Sequence, residues 1–168
     1  MPAVAAIYAR EVLEGTATFE EVPPSTAVMP GRLTAVQGHG LPWRIAEVDG
    51  GVAAYAYASP FRPRSAYRYA VETSVYVADG YQGRGLGRTV MNEVIDHCRA
   101  LGLCQMIAAV FHDDSAASIA LHQKLGFVRA GTYRKVGWKF GRWIDVTLLQ
   151  LDLAPDAGEP QGCGLNLG

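Results

Sequence analysis

Residues 71–88, VETSVYVADGYQGRGLGR, commit one continuous segment to a strand, a turn, a glycine-rich basic loop and a helix start. Val71, Thr73, Val75 and Val77 alternate with Glu72, Ser74 and Tyr76, the period-2 pattern of a strand. Asp79-Gly80 marks a turn. Gly83, Gly85 and Gly87 remove side chains where a ligand needs to approach backbone N–H groups, and the helix that follows turns its unpaired amides and positive dipole end the same way. Arg84 and Arg88 add charge. A glycine-rich connection without a ligand is the competing reading; two arginines and a helix start favour a phosphate cradle. The cradle is not a Walker loop, because Gly87 is followed by Arg88-Thr89 rather than Lys-Ser/Thr. Nor is it GxGxxG, because the glycines run GxGxG.

Around this segment the patterns alternate between helix and strand, an α/β order. Val4, Ile7, Tyr8, Val12 and Leu13 give helical spacing over residues 2–14, closed by Gly15. A second helix is expected within residues 25–37, interrupted at Pro30-Gly31. Residues 43–48 and 52–58 read as strands joined at Asp49-Gly50-Gly51, a hairpin signal. Residues 59–70 form a loop rich in proline, arginine and tyrosine. A helix from about Arg88 to Leu101 carries Val90, Met91, Val94, Ile95, Cys98 and Leu101 on one face. Then come a strand over 105–111, a helix over 115–125, an extended stretch over 127–136 and a strand over 144–153. In the last of these, Ile144, Val146 and Leu148 give way to Leu149, Leu151 and Leu153, a phase slip that predicts a bulge or a twist between two packed surfaces. The composition of residues 154–168, rich in proline and glycine, predicts a disordered tail after a domain spanning 1–153.

The chain of 168 residues suits one domain. Its 15 basic and 16 acidic residues nearly cancel, so nothing suggests a nucleic-acid surface. Three cysteines, Cys98, Cys104 and Cys163, are odd in number and lack CxxC spacing, which argues against a disulfide framework or zinc site and for a reducing compartment. No apolar run reaches the length of a membrane span, and the start lacks a signal pattern; these features predict a cytoplasmic protein without a membrane partner. His112-Asp113-Asp114 is better explained as a strand-to-helix turn than as a metal cluster, so no metal is expected. His39 has no evident partner, and His97 is expected on the exposed side of the cradle helix.

In the helix at 115–125, Ser115, Ser118 and His122 form one polar stripe, with Ala117, Ala120, Leu121 and Leu125 expected toward a core. A ligand contact and a solvated face with a capping serine are both compatible with this stripe.

The loop QGRGLG, in which Gln82, Arg84-Gly85 and Gly87 give QxxGxG, resembles the pyrophosphate loop of the GCN5-related N-acetyltransferases (GNAT). SAASIALHQKLGF at 115–127 resembles the same superfamily's N-x-x-S-x-x-L-H/Y-x-x-x-G-F/Y motif. The segments TATFEEVP at 16–23, PFRPRSAYRYAVETSVYV at 60–77 and GWKFGRWIDVTLLQ at 137–150 resemble, more narrowly, the phosphinothricin and methionine sulfoximine/sulfone acetyltransferases. The resemblance implies a mixed, mostly antiparallel twisted sheet flanked by helices, with splayed strands holding acetyl-CoA. It implies transfer of acetyl to the α-amine of a small amino-acid-like substrate, and a homodimer.

By the same resemblance, Gln82, Gly83, Arg84, Gly85, Leu86, Gly87 and Arg88 hold the pyrophosphate, and Val75, Tyr76 and Val77 pair with pantetheine through their backbone. One of these amides would stabilise an oxyanion. Ser115 and Ser118 flank the pantetheine arm. An ammonium group needs a base before it can attack, and Glu72, a lone carboxylate in an apolar strand, matches the family's position for one. A carboxylate merely paired with a loop arginine is the alternative. His122 would protonate the departing thiolate, unless it is a packing or surface histidine. A substrate with a carboxylate and a polar head calls for the arginines and aromatics of the 60–70 loop, and Arg62, Arg64, Ser65, Ala66 and Tyr67 are the predicted contacts. Phe19 and Glu20 would close the site from the N-terminal side, and Lys139 or Trp143 from the C-terminal side.

Two departures stand out. The chain begins at the first helix, without the short strand that relatives place before it, and Ser115 stands where many have asparagine. A catalytically weakened acetyl-CoA-binding sensor or assembly protein is therefore the alternative to an enzyme.

Overall fold

The computed structural model describes residues 1–111, 116–160 and 162–167. Its elements are α1 (Pro2–Leu13), α2 (Val28–Gly38), β1 (Trp43–Val48), β2 (Gly51–Pro60), a 3-10 turn (Ser65–Tyr67), β3 (Ala70–Val77), α3 (Leu86–Ala100), β4 (Gln105–Phe111), α4 (Ala116–Lys124), β5 (Val128–Lys139) and β6 (Arg142–Asp152). Six strands form one sheet in the order β1-β2-β3-β4-β6-β5. Only the β3–β4 pair is parallel, so the sheet is mixed and mostly antiparallel, as expected.

Local chemistry sets the boundaries. Asp49 and Gly50 both take positive φ, 52° and 78°, which matches the twist of the β1–β2 hairpin. Pro30 does not interrupt α2. It falls in the first turn, where a backbone N–H has no partner in any case.

Alternation along β3 divides the molecule into layers. Val71, Thr73, Val75 and Val77 face α3, where the Thr73 hydroxyl reaches Met91 Sδ at 3.5 Å. Glu72, Ser74 and Tyr76 face the side of α1, where the Tyr76 ring meets Tyr8 edge-on at 5.5 Å. On α3, Val90, Met91, Val94, Ile95 and Cys98 are all buried, and side chains of this kind contribute about 1.5–3 kcal/mol each.

The phase slip in β6 has a specific cause. β6 pairs with β4 without a break, and the irregularities fall in its other neighbour, β5, between Arg129 and Gly131 and between Tyr133 and Gly137. Ile144 and Val146 are buried on one face and Leu149 and Leu151 on the other, so both faces of this strand are covered.

Within the stretch whose composition predicts a disordered tail, residues 155–160 are exposed but residues 162–167 are docked. Leu165 is 7% exposed and belongs to the main core, and its amide donates to the Arg68 carbonyl at 2.8 Å. A single leucine with a backbone partner outweighs the surrounding glycine and proline. Two histidines likewise have partners that the sequence did not suggest. His39 Nδ1 lies 3.1 Å from the Asn166 carbonyl oxygen, and His97 bridges Arg44 (3.0 Å) and the Gly40 carbonyl (3.2 Å).

Candidate active site

The β3–β4 pairing runs only from Ala70–Gln105 to Thr73–Ala108. Beyond it β3 stays bonded to β2, with Tyr76 opposite Tyr55, while β4 stays bonded to β6, with Phe111 opposite Val146. The two strands therefore part, leaving a splay whose β3 wall is Ser74–Val77.

Glu72 sits just below this splay, between Ser59 of β2 and Ile107 of β4. It is half-buried. Desolvation raises its pKa above the ordinary carboxylate value, and the Arg62 guanidinium pulls it partway back. Among the described residues its carboxylate has no hydrogen bond or ion pair, so Arg62 acts on it through space rather than as a salt-bridge partner.

The 60–70 loop overhangs the same end of β3. Its base is closed by the Phe61 amide donating to the Ala70 carbonyl at 3.2 Å, and inside it the rings of Phe61 and Tyr67 meet edge-on at 5.6 Å. Arg62 lies over Phe61 at 4.6 Å. Arg62, Arg64, Ser65, Ala66 and Tyr67 are all exposed.

From the N-terminal side, Phe19 packs on Phe111 at 4.4 Å, at the open end of β4. Its ring lies so close over the β5 backbone that a side chain on Gly137 would collide with it. Glu20 is held by Arg32 at 2.7 Å, and Arg32 lies over the Tyr8 ring. Lys139 is turned into the fold. It is 2% exposed, and its ammonium donates to the carbonyls of Gly15 and Thr18 at 2.9 Å and of Glu11 at 3.4 Å, fastening the end of α1 and the segment carrying Phe19. Trp143 is 57% exposed and stacks edge-on with Trp138.

The cradle is built by conformation. Gly83 and Gly85 take φ of 74° and 82°, a region that favours glycine, and a Cβ on either would point into open space. Gly85 is the N-cap of α3, whose first amides have no intrahelical partner. Gly87 serves packing instead: a Cβ there would meet Leu121 and Val77 at 3.3 Å, so its absence lets α3, α4 and β3 come together. Arg84, over the Tyr81 ring at 5.1 Å, and Arg88 are both exposed at the loop. Gln82 donates to Asp79 at 3.0 Å, and Asp79 is also paired with Arg10 of α1.

On α4 the expected faces hold only in part: Leu121 and Leu125 are partly buried, as expected. Ala117 and Ala120 are exposed, and His122 is buried at 3%. In a helix of nine residues the larger Ile119, Leu121 and His122 gain more from burial than alanine does. His122 Nδ1 lies 2.8 Å from the Ser118 carbonyl, which only accepts, so Nδ1 carries the hydrogen and buried Nε2 presents a lone pair without a partner among the described residues. Desolvation lowers the ring's pKa from 6.5, which keeps it neutral at neutral pH. Ser115, like His112, Asp113 and Asp114, lies outside the described residues. Among the described residues no group of three His, Cys, Asp or Glu is placed to hold a metal ion.

The Acetyltransferase (GNAT) family model matches residues 8–127. The chain belongs to this acetyltransferase family. It is 48% identical over 153 residues to a phosphinothricin N-acetyltransferase of Alcaligenes faecalis, covering 91% of this chain and 78% of that one. It is 40% identical over 161 residues to an L-methionine sulfoximine/L-methionine sulfone acetyltransferase of Pseudomonas paraeruginosa, covering 95% and 93%. The crystal structure of a GNAT superfamily phosphinothricin acetyltransferase from Sinorhizobium meliloti, in complex with acetyl-CoA, superposes with a TM-score of 0.89 at 41% identity, covering 95% of this chain and 87% of that one.

The protein is thus an acetyl-CoA-dependent N-acetyltransferase. Its own geometry fits that cosubstrate: a splay that leaves one edge of β3 unpaired, continuous with a loop that has no side chain at two left-handed positions and opens a helix. Sequence reading of the acetyltransferase missed the Lys139 clamp and the docking of residues 162–167. The clamp had no local signal, because its carbonyl partners lie more than 120 residues away in the chain.

Proposed function

We propose that this acetyltransferase acts on the α-amine of a small amino-acid-like substrate carrying a carboxylate and a polar head, of the phosphinothricin or methionine sulfoximine/sulfone type. The observation that carries this reading is Glu72: a half-buried carboxylate of raised pKa, unpaired among the described residues, at the root of the splay and beneath an arginine-bearing loop. The names of the relatives supply the substrate class.

Bound acetyl-CoA supplies an activated acetyl group, and its transfer to nitrogen requires that the amine be neutral. Glu72, in its carboxylate form, accepts the ammonium proton directly or through one water. The backbone of Val75, Tyr76 and Val77 binds the pantetheine arm, with one amide turned to the developing oxyanion. Gln82, Gly83, Arg84, Gly85, Leu86, Gly87 and Arg88 hold the pyrophosphate through amides, the helix N-terminus and two cations. Ser118 and Ser115 border the pantetheine. Arg62 and Arg64 take the acceptor's anionic groups, with Ser65, Ala66 and Tyr67 as the wall above Glu72. Phe19 and Glu20 form the wall at the far end of the splay.

For His122 we propose a positioning role in place of proton donation to sulfur. A neutral ring whose N–H is committed to the Ser118 carbonyl presents an acceptor, which supports that reading.

Two further features complete the proposal. Tyr133, Val136, Trp138, Phe140 and Trp143 are each more than half exposed on the β5–β6 hairpin, at the sheet edge formed by β5. Exposed apolar patches and open edges mark protein interfaces, and a second copy of the chain covering this one gives a homodimer. The cysteines Cys98, Cys104 and Cys163 are all unpaired, which suits the reducing cytoplasm.

The test is thiol release from acetyl-CoA over a panel of methionine sulfone, methionine sulfoximine, phosphinothricin and unmodified amino acids. The reading expects turnover with the first three at kcat/KM above that of the unmodified set. Coenzyme A binding without turnover of any α-amine would overturn it.

A further inference from the structure

Residues 162–167 lie along the outer side of the 60–70 loop. The Leu165 amide donates to the Arg68 carbonyl at 2.8 Å, and the Tyr69 hydroxyl donates to the Gly162 carbonyl at 2.7 Å. The Leu165 side chain is 7% exposed in the main core, and Leu167 shares a cleft with His39 and Pro60–Pro63. Gly164 takes φ of 67°, and a Cβ there would come within 2.8 Å of the Arg68 carbonyl oxygen, so the backbones touch with no room for a side chain. The His39 ring meets the Asn166 carbonyl from the other side at 3.1 Å.

The contacts fall where the loop needs them. Its base is closed at Phe61 and Ala70, and the Tyr69 carbonyl accepts from Cys104 and Gln105 at the start of β4. Between these ends the loop has only the single 3-10 turn Ser65–Tyr67, with Arg68 donating back to the Ser65 carbonyl. Arg68 and Tyr69, the residues after that turn, are the ones the 162–167 segment grips.

We propose that residues 162–167 are a latch that fixes the conformation of the 62–68 loop and so presets the acceptor site, with Gly164 and Leu165 as positioning residues for acceptor binding. The proposal rests on the assignment of Arg62, Arg64 and Tyr67 to the acceptor. Preordering the loop removes an entropic cost that the acceptor would otherwise bear on binding. The pyrophosphate cradle lies at the other end of β3 and is untouched by the latch, so the effect separates by substrate.

Gly164→Val in the full chain opposes both the positive φ and the close approach, and Tyr69→Phe removes one latch bond while leaving Leu165 in the core. For Gly164→Val the expected result is an acceptor KM raised about three- to tenfold, the cost of ordering a released loop, with the KM for acetyl-CoA unchanged. Amide hydrogen exchange over residues 62–68 should quicken in both variants, and Tyr69→Phe should show the smaller KM rise. Unchanged exchange over 62–68 in a folded Gly164→Val would overturn the latch, as would equal increases in the KM of both substrates. Arg64→Ala tests the underlying assignment separately. If it leaves acceptor KM unchanged while Gly164→Val still quickens exchange, the acceptor assignment fails, and with it the functional half of the latch, although the contact itself stands.

Discussion

Glu72 holds a charge where burial opposes one, and that opposition has a consequence for stability as well as for catalysis. Its pKa is raised in the folded chain, so the folded state binds a proton more tightly than the unfolded one. The stability this contributes is whole below pH 4.5, the unperturbed value, and is lost as pH rises through the folded pKa. Glu72→Gln should therefore melt above the wild type at pH 7, with the advantage disappearing below pH 4.5; a variant that melts lower at neutral pH would contradict the assignment. Lys139 points the other way. Replacing it with methionine should leave the buried Thr18 carbonyl and the half-buried Gly15 carbonyl without their donor, an expected loss of about 3 kcal/mol that denaturant unfolding would read. At this scale the sequence showed Glu72 well, because a lone carboxylate in an apolar strand is visible in the local pattern. The burial of Lys139 was not legible, because a lysine beside a hairpin turn gives no sign of it when its partners come from the opposite end of the chain.

The segment from β3 through the cradle into α3 behaves as the local sequence dictates. Alternation set the strand, left-handed glycines set the loop, and the apolar stripe of α3 set its buried face. Gly85→Ala forces an L-residue into φ of 82°, at about 1–2 kcal/mol, and should weaken coenzyme A binding by roughly tenfold in calorimetry while leaving acceptor KM unchanged. α4 was legible as a helix, and its Leu121 and Leu125 face was read correctly, but the burial of His122 and the exposure of Ala117 and Ala120 were not. Over nine residues a stripe of serine and histidine and a stripe of alanine are nearly equivalent by pattern, and the neighbours that decided between them, Phe127 above all, belong to tertiary packing. The slip in β6 was visible; that its bulges lie in the partner strand was not, because register is a property of two strands. The docked 162–167 segment was misread because composition averages over a stretch in which one leucine makes the contact.

For the whole molecule, the proposed chemistry divides between two ends of one strand: β3 meets the glycine-rich loop proposed to hold the pyrophosphate at Val77 and the loop proposed to hold the acceptor at Ala70. The uncovered aromatic hairpin adds an assembly prediction. Trp143→Arg should convert a dimer to a monomer in light scattering, with far-UV circular dichroism unchanged; a dimer that survives both Trp143→Arg and Trp138→Arg would place the interface elsewhere. Fold class and cofactor were legible because they rest on contiguous motifs. The proposed acceptor wall was only partly legible because the 60–70 loop and the Phe19 segment that would form it, and the tail that holds the loop, are far apart in sequence. The central claim is that Glu72 is the base, and the pH dependence of kcat/KM for wild type and Glu72→Gln tests it most directly. The wild type should lose activity on the acid side with an apparent pKa above the ordinary carboxylate value, and Glu72→Gln should fall by about 10²–10⁴-fold, lose that acid limb and still bind coenzyme A. An unchanged rate and acid limb in Glu72→Gln would contradict it.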